Sequence, residues 1–412
     1  MSGKDAMITQ VDDIGWEKRL AARTRRMQSS VIRELLKLTA QPDVISFAGG
    51  LPAPDFFPIR EVQEACQYVL KNQGRNALQY SPTEGFEPLK EWLADTMSRY
   101  GIWVEPDNIM MVNGSQQALD LVGKLFIDPG TRVLCSRPTY LGAIQAWDAY
   151  EADYETVPMD EQGMITEGLP ELLDKSKNRP RFVYVLPNFH NPAGTTLTLE
   201  RRQQLVEIAR RYDLVIIEDD PYGELRFDGE DITPIFRLAP ERTLYLSTFS
   251  KTLAPGLRLA WVVAPKPIIS RLVQAKQGAD LNTGAFVQMV AYDVCARGIL
   301  RQHVRRLRGV YHSRRDAMVD ALTEHMPEGV TWTVPQGGLF LWVRTSDRIE
   351  TREFMRKAID AKVAYVPGFS FYPGGKGGEH SMRLNFSYSN EETINEGIHR
   401  LGMAMKKELA GK

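Results

Sequence analysis

Short runs of apolar residues recur along the middle of the chain, separated by stretches whose apolar positions follow a helical period. Because each run is apolar at consecutive positions, we expect strands that are buried on both faces, as in a parallel sheet. The predicted strands cover 109–112, 132–135, 182–186, 214–217, 243–246 and 259–263. Parallel strands need crossover connections, and the amphipathic stretches 115–126 and 199–212 are typical of crossover helices. The pattern predicts an α/β fold with a mostly parallel sheet and helices on both faces.

The pattern changes after this region. A long helical pattern runs through 288–325, and we expect a final helix from about Glu391. Shorter apolar runs lie between them, at 330–334, 338–343 and 382–386. This mixture predicts a smaller α+β domain that the N-terminal segment completes. The predicted parts are an N-terminal segment at 1–59, a large domain at 60–310 and a small domain at 311–412.

Composition and charge exclude several classes of protein. The chain has 412 residues, of which 43% are hydrophobic and 25% are charged, as in ordinary globular proteins. Lys and Arg number 51 against 52 Asp and Glu, so nothing global attracts the chain to nucleic acid or to an anionic membrane. We interpret two basic stretches, 18–26 and 301–315, as solvated helix faces. No stretch approaches the roughly 20 apolar residues of a membrane span.

The cysteines and histidines give no sign of a metal site. Cys66, Cys135 and Cys295 are widely spaced and form no CxxC pair, which favours buried free thiols in a reducing compartment. The histidines show no HExxH arrangement, and the first residues include acidic side chains without an apolar signal region. We therefore expect a cytoplasmic protein without a metal.

A lysine follows one predicted strand at the place where an open α/β sheet binds ligands. Lys251 lies in the segment Ser247–Arg258, directly after the strand predicted at 243–246. Ligands of such sheets bind at the carboxyl ends of strands. Lys251 offers an amine for a Schiff base, while Arg258 and the nearby hydroxyls offer donors for a phosphate. Alone, the segment would also fit a surface lysine in a polar turn.

Three other motifs follow predicted strands. The turn at 114–116 opens a helix, and a helix N-terminus that begins with glycine favours anions, although Ser115 could simply cap the helix. The sequence Asn-Pro-Ala-Gly at 191–194 also fits an ordinary turn. Carboxylates at 218–220 end the most apolar strand, where an unpaired charge is costly, so a cationic partner would explain them.

These motifs stand in a definite order along the chain. The ordered set is Gly114, Ser115, Gln116, Tyr140, Asn191, Gly194, Asp219, Tyr222, Ser250, Lys251, Arg258 and Arg383. In this respect the chain resembles the fold-type I, class I/II aminotransferases, which use pyridoxal 5′-phosphate (PLP). The segment 45–58 further resembles the subgroup that contains 2-aminoadipate aminotransferase and kynurenine/2-aminoadipate aminotransferase. The resemblance covers nearly the whole chain and implies the type I PLP-transferase fold.

The resemblance implies roles for the residues around the cofactor ring. Lys251 would form the Schiff base and carry a proton, for which it must be neutral in part. Asp219 would pair with the ring nitrogen, so that the ring withdraws electrons from the substrate. Asn191 and Tyr222 would hydrogen-bond the ring oxygen, and Tyr140 would stack on the ring face.

The resemblance also implies how the cofactor phosphate is held. The implied phosphate ligands are the turn from Gly114 through Ser115 to Gln116, the hydroxyls of Thr248 and Ser250, and Arg258. Tyr80 matches a tyrosine that reaches the phosphate of the neighbouring subunit. A complete site would then require a homodimer.

Substrate recognition is implied at two places. Arg383 would bind the substrate α-carboxylate in a bidentate pair, beside Asn191 and Gly50. Ser30 and Arg33 lie on a segment that resembles the short helix covering the substrate in the aminoadipate enzymes. Arg33 would meet a distal carboxylate there, unless it is only a surface arginine on a helix face.

The resemblance implies an aminotransferase that moves the amino group of an L-amino acid to 2-oxoglutarate by a ping-pong mechanism. We expect 2-aminoadipate, or an aromatic or branched aliphatic amino acid, as the donor. Other PLP chemistry, such as a carbon–sulfur β-lyase or a decarboxylase, stays open because a fold does not determine the reaction. An aminotransferase-like regulatory module is a further alternative, although the stretch before the covering helix is too short for a winged helix.

Overall fold

The structure is a computed structural model that describes residues 15–27 and 43–411. The predicted substrate residues Ser30 and Arg33 therefore lie outside the described residues. The strands are β1 (Ile45–Ser46), β2 (Ile109–Val112), β3 (Arg132–Arg137), β4 (Asp153–Asp160), β5 (Gly163–Met164), β6 (Phe182–Val185), β7 (Val215–Asp219), β8 (Thr243–Thr248), β9 (Ala260–Val263), β10 (Thr331–Trp332), β11 (Phe340–Arg344), β12 (Val363–Ala364), β13 (Val366–Pro367) and β14 (Ser381–Asn385).

Helices connect most of these strands. The α-helices are α1 (Ile59–Ala77), α2 (Glu87–Ser98), α3 (Ser115–Phe126), α4 (Leu141–Asp148), α5 (Leu169–Lys175), α6 (Leu199–Tyr212), α7 (Ile235–Leu238), α8 (Lys266–Gln277), α9 (Ala285–Ala296), α10 (Ile299–His325), α11 (Thr351–Asp360) and α12 (Glu391–Ala410). Short 3₁₀-helices lie at Trp16–Lys18, Ala22–Arg26, Pro54–Phe56, Pro106–Asn108, Gly223–Leu225, Pro255–Leu257, Gly368–Phe371 and Pro373–Gly375.

Within the described residues, the larger sheet has eight strands in the order β2-β9-β8-β7-β6-β3-β4-β5. The central strands β8, β7, β6, β3 and β4 pair in parallel. Strand β9 runs antiparallel to both β2 and β8, and β5 runs antiparallel to β4. All residues of β2 and β6 are buried, as their continuous apolar runs predict. The prediction of a mostly parallel sheet is confirmed.

Helices cover both faces of this sheet, since neighbouring residues of one strand pack against different helices. Val133 and Cys135 of β3 belong to a cluster with residues of α3, α4 and α8. Leu134, between them, packs instead with residues of α5 and α6. The crossover helices α3 and α6 span the stretches predicted for them.

The C-terminal part of the chain forms a smaller antiparallel sheet, in the order β10-β11-β14-β13. Most of its apolar side chains pack in one cluster with α10, α11 and α12, while Trp342 and Val366 pack in another. Strand β1 pairs in parallel with β12, with Ile45 opposite Val363. The chain near its N-terminus thus joins the C-terminal part, as expected, while the domain boundaries at 1–59, 60–310 and 311–412 stay a prediction.

Two helices, α9 and α10, occupy the single long helical pattern at 288–325. Gly298 lies between them and has φ +73°. Because a left-handed backbone does not continue a right-handed helix, the helix is interrupted at this glycine.

The basic stretch 301–315 is only in part a solvated helix face. Arg314 and Arg315 are 4% and 6% exposed. Nη1 of Arg314 donates to the carbonyl of Ser387 at 2.5 Å, and Nη2 of Arg315 donates to Oδ2 of Asp228 at 2.6 Å. The prediction is therefore wrong for these two arginines, which connect α10 to other parts of the fold.

The cysteine thiols are free, as predicted. Cys135 and Cys295 are buried, and Cys66 is partly buried. Burial raises the pKa of Cys135 to about 12, so its thiol stays protonated. In the part of the chain that the structure describes, no helix has the length and apolarity to cross a membrane.

The end of β7 directs two carboxylates to opposite faces of the sheet, because side chains alternate along a strand. Glu218 accepts hydrogen bonds from the backbone N–H groups of Ile235 and Phe236, at 2.9 and 2.7 Å. It thereby satisfies donors at the start of α7. Asp219 reaches the other face, where it accepts a hydrogen bond from Tyr184. One carboxylate stabilises the fold, and the other is available at the sheet edge.

Candidate active site

Several of the predicted site residues meet at the carboxyl ends of β6, β7 and β8, as expected for an open α/β sheet. Asn191 follows β6, Asp219 ends β7, and Lys251 follows β8. Arg383 lies on β14 of the smaller sheet and donates a hydrogen bond to Asn191. The site therefore lies between the two sheets.

The amine of Lys251 lies next to the loop that follows β1. Nζ of Lys251 donates to the carbonyl oxygen of Gly50 at 2.8 Å. Burial, with the positive charges of Arg383 and Arg258, lowers the pKa of Lys251 to about 8. A large share of Lys251 is thus neutral near pH 8, as a nucleophilic or proton-accepting amine requires.

Asp219 is a buried carboxylate with one open position. It is 1% exposed, and the Tyr184 hydroxyl donates to its Oδ2 at 2.8 Å. Its Oδ1 is also buried, without a hydrogen-bond partner among the described residues. Burial raises the pKa of Asp219 to about 7, opposed by the Tyr184 hydrogen bond and assisted by the nearby Asp220. A hydrogen-bond donor at Oδ1 would stabilise the buried carboxylate, and a cationic donor would do so most strongly.

Sequence reasoning missed Tyr184. The residue lies inside an apolar run that forms the fully buried strand β6. A tyrosine in such a strand is itself a signal, because a buried hydroxyl needs a partner. The sequence does not say which partner, since Tyr184 and Asp219 become neighbours only when β6 and β7 pair.

Arg383 is held rigidly although it is almost completely buried. Nη1 donates to Oδ1 of Asn191 at 2.8 Å, and Nη2 donates to the carbonyl of Ala48 at 2.7 Å. Nε is buried and has no partner among the described residues. Burial lowers the pKa of Arg383 to about 10, so the guanidinium keeps its charge at neutral pH.

Two phenylalanines that sequence reasoning missed contact this guanidinium. Its carbon lies 4.2 Å from the ring centroid of Phe340 and 5.1 Å from that of Phe371. A cation over aromatic faces is stabilised in surroundings that hold little water. The apolar run at 338–343 includes Phe340, but no local motif places either phenylalanine beside Arg383.

Three polar residues surround the space between Asp219 and Arg383. Nδ2 of Asn191 lies 3.5 Å from the Tyr222 hydroxyl. Tyr140 immediately precedes α4, and burial with the charge of Asp219 raises its pKa to about 12. Burial also raises the pKa of Tyr222 far above its usual range. Both phenols therefore stay protonated and act as neutral hydrogen-bonding groups.

The turn before α3 forms the other end of the site. Gly114 has φ +83°, and a Cβ there would collide with the Arg258 guanidinium, so only glycine fits. Ser115 begins α3, and its Oγ is buried without a partner in the described chain. Free N–H groups at a helix N-terminus, a serine hydroxyl and an arginine together suit an anion.

The remaining predicted residues lie as follows. Oγ1 of Thr248 and Oγ of Ser250 are 3.0 Å apart, which brings both hydroxyls of the loop together. The side-chain amide of Gln116 donates to the carbonyl of Gly142 at 2.8 Å. The backbone N–H of Gln116, and not its side chain, therefore remains free for an anion. Tyr80 is 77% exposed, away from the buried site of its own chain.

The residues 42–401 match the family model described as aminotransferase class I and II. The aromatic-amino-acid aminotransferase 1 of Thermococcus litoralis is 45% identical over 401 residues, covering 96% of each chain. The 2-aminoadipate transaminase of Thermus thermophilus is 42% identical over 401 residues, covering 96% of this chain and 99% of the relative.

A solved structure has the same fold. It is the kynurenine aminotransferase of Pyrococcus horikoshii, in complex with PMP, KYN as substrates and KYA as products. It superposes with a TM-score of 0.92 at 44% identity, covering 96% of this chain and 98% of the other. The chain therefore belongs to the class I and II aminotransferases, with the type I fold. It is an aminotransferase that acts on amino acids and oxo acids, and its cofactor is PLP.

The site described above fits this cofactor. Among the described residues, Oδ1 of Asp219 finds no donor, as a protonated ring nitrogen would supply. Within the same part of the chain, Oγ of Ser115 and Nε of Arg383 find no acceptors, as a phosphate and a substrate carboxylate would supply. Each of these three groups thus has a matching group on the cofactor or on an amino acid.

The pKa of Lys251 can be measured on the full-length chain without cofactor. Its reaction with an amine-directed reagent should reach half of its maximum near pH 8, because burial and two arginines disfavour the charged amine. An ordinary lysine reaches that point near about 10.4. Peptide mass spectrometry at a series of pH values gives the midpoint.

Arg383→Gln is the matched control for this measurement. Loss of one nearby positive charge should move the midpoint upward, towards the ordinary value. A midpoint near 10 in the unchanged chain, or a downward shift in Arg383→Gln, contradicts the electrostatic account.

Proposed function

We propose that the chain transfers the amino group of an L-amino acid to 2-oxoglutarate by a ping-pong mechanism. The observation that carries the proposal is the arrangement of three buried ionisable groups around one space. Lys251 is an amine of lowered pKa, Asp219 has an open oxygen, and Arg383 has an open Nε. These are a proton carrier, a partner for a cationic ring and a binding group for a carboxylate.

PLP, when bound, supplies the aldehyde that takes the amino group and a ring that withdraws electrons from the substrate. We assign to Asp219 the task of holding a proton at the ring nitrogen through its open Oδ1. Tyr184 donates to Oδ2 and therefore fixes the orientation of the carboxylate. Asn191 and Tyr222 would hydrogen-bond the ring oxygen, and Tyr140 would lie on the ring face.

Lys251 is assigned the proton transfers at the substrate Cα. Its lowered pKa supports this role, because a general base works best when its pKa is near the operating pH. Its present acceptor, the carbonyl of Gly50, keeps the amine in the site without neutralising a charge. The same amine can therefore accept a proton and return it.

Arg383 is assigned the substrate α-carboxylate. Two of its nitrogens are fixed by Asn191 and Ala48, so the guanidinium does not have to be ordered again when a carboxylate binds. Fixing the carboxylate fixes the direction of the Cα–H bond, which is how binding energy accelerates the reaction.

We also propose which residues bind the cofactor phosphate and that the active form is a dimer. We assign the phosphate to the turn Gly114–Gln116, to Thr248 and Ser250, and to Arg258. Tyr80 is exposed on its own chain, and this supports its contribution to the site of a second copy. The active form is then a homodimer, which we place in the cytoplasm on the grounds of composition and free thiols.

The identity of the amino donor is proposed from the relatives of the chain. Relatives named for aromatic amino acids and for 2-aminoadipate are 45% and 42% identical to the chain. We infer that the donor is 2-aminoadipate, or an aromatic or branched aliphatic amino acid. Ser30 and Arg33 are proposed to contact the substrate side chain, Arg33 through a distal carboxylate.

The half-reaction with donor alone tests the transfer directly. Holoenzyme mixed with one amino acid should convert its cofactor stoichiometrically to the amine form, as absorbance shows. A β-lyase or a decarboxylase would release product and leave the cofactor in its original form, which would contradict the proposal. Lys251→Ala should slow the conversion by about 10²- to 10⁴-fold, the contribution of one acid–base group.

The exposed Lys71 on α1 provides the matched control. Lys71→Ala removes the same side chain at an exposed position and should leave the half-reaction rate unchanged. Equal half-reaction rates in Lys251→Ala and Lys71→Ala would show that Lys251 does not carry out the proton transfers.

A donor series tests the proposed role of Arg33. With 2-oxoglutarate as acceptor, kcat/KM is compared for 2-aminoadipate, leucine, phenylalanine, kynurenine and aspartate. Arg33→Ala should lower kcat/KM for 2-aminoadipate by about tenfold or more, since a charged hydrogen bond contributes about 1.5–3 kcal/mol. Leucine and phenylalanine should be little affected. A uniform decrease for acidic and neutral donors would show that Arg33 has no distal-carboxylate role.

A further inference from the structure

A partly buried network of four polar side chains lies next to the turn that precedes α3. Its members are Asn113, at the end of β2, Gln117 in the first turn of α3, Lys276 on α8, and Asp280. We call it the Asp280 network. None of its members is among the residues that the family resemblance assigns to cofactor or substrate.

Asp280 is the common acceptor of the network. Its Oδ2 accepts from Nδ2 of Asn113 at 2.5 Å, from Nε2 of Gln117 at 2.6 Å and from Nζ of Lys276 at 2.9 Å. Nζ of Lys276 also donates to Oδ1 of Asp280 at 2.8 Å. The carboxylate therefore joins three chain segments.

Gln117 closes the network from the other side. Its Oε1 accepts from Nζ of Lys276 at 2.9 Å and from the backbone N–H of Asn113 at 2.8 Å. Both ends of this amide are thus used, one as donor and one as acceptor. The orientation of the Gln117 side chain is fixed, and with it the position of Asn113 relative to α3.

The burial of Lys276 makes the network sensitive to change. Lys276 is fully buried, and the side chain of Asp280 is 27% exposed. Burial lowers the pKa of Lys276, while the hydrogen bond and charge of Asp280 oppose that shift. Removal of either partner would leave a charge in a site with little access to water.

The network flanks the proposed phosphate turn on both sides. Asn113 directly precedes Gly114, and the N–H of Gln117 donates to the carbonyl of Gly114 at 3.0 Å. Nη2 of Arg258 lies 3.5 Å from the carbonyl of Asn113. Ser115, with its unpartnered hydroxyl, lies between the two anchored residues.

We propose that Lys276 and Asp280 are positioning residues for the cofactor phosphate. They hold Asn113 and Gln117, and so set the direction of the backbone N–H groups of residues 115 and 116 and the location of Arg258. They act through these residues and do not touch the phosphate themselves. The inference rests on the proposed phosphate site.

A purely structural role would stabilise the fold without regard to the phosphate. The two roles differ in what happens to a cofactor that lacks the phosphate. Pyridoxal carries the same ring and aldehyde as PLP but no phosphate, so its affinity does not depend on the turn. A positioning role therefore changes the ratio of the two affinities, whereas general damage lowers both.

The experiment measures dissociation constants of PLP and of pyridoxal for the full-length chain by absorbance. The variants are Asp280→Asn, Lys276→Met, and Lys276→Met combined with Asp280→Leu. The double variant leaves no unpaired buried charge, so it is expected to fold even if a single variant does not. Lys90→Met is the matched control, because Lys90 is also buried and pairs with Glu87 at 2.7 Å, outside the network.

We expect each network variant that folds to weaken PLP binding about tenfold or more, the effect of losing a charged hydrogen bond, with pyridoxal changed less than about twofold. Lys90→Met should alter neither affinity. Equal loss of both affinities, or no loss of either in a folded network variant, overturns the inference. Release of PLP from holoenzyme into a scavenger provides a second readout, and it should be faster in the network variants alone.

Arg258→Ala and Ser115→Ala separate this inference from the proposed function. If these two variants leave the ratio of PLP to pyridoxal affinity unchanged, the proposed phosphate site itself is wrong. If they reduce the ratio and the network variants do not, the phosphate site stands and the positioning role fails.

Discussion

The carboxylate of Asp219 is removed from water, and within the described part of the chain only its Oδ2 is hydrogen-bonded. The other charged groups of the site are buried in the same surroundings. Burial raises the pKa of Asp219 to about 7, which means that the charged form is costly in the chain alone. A positively charged ring nitrogen would relieve that cost, because an opposite charge favours the ionised carboxylate. We propose that the cofactor supplies this partner.

Burial also disfavours the charged forms of the cationic groups of the site, and it therefore lowers their pKa values. Burial lowers the pKa of Lys251 to about 8 and that of Arg383 to about 10. Because the ordinary pKa of arginine is much higher than that of lysine, Lys251 becomes partly neutral while Arg383 stays charged at neutral pH. A single environment therefore holds a partly neutral amine and a charged guanidinium, to which we assign proton transfer and carboxylate binding. Phe340 and Phe371 contribute by stabilising the guanidinium without neutralising it.

The sequence predicts many of the strands and helices that position these residues. Continuous apolar runs predict the strands that end at Asp219 and before Lys251, and helical periods predict α3 and α6 over the residues that they occupy. Since the carboxyl ends of parallel strands meet at one edge, residues that follow those runs must lie close together. Local pattern and sheet geometry bring these residues to one end of the sheet, whereas their roles toward the cofactor come from the family resemblance.

What the sequence does not reveal are the contacts between segments that are far apart in the chain. Tyr184 meets Asp219 through strand pairing, and Lys276 meets Gln117 through the packing of α8 against α3. Neither pair has a spacing that a pattern could predict, because each depends on how elements pack. The single helical pattern at 288–325 is also interrupted at Gly298, whose backbone has φ +73°.

The central claim is that the open oxygen of Asp219 holds a proton on the cofactor ring. The ¹⁵N chemical shift of ring-labelled PLP in the holoenzyme measures that proton directly. We predict the shift of a protonated ring nitrogen at neutral pH, and the shift of an unprotonated nitrogen in Asp219→Asn. An unprotonated nitrogen in the unchanged holoenzyme, or a protonated one in Asp219→Asn, would contradict the account.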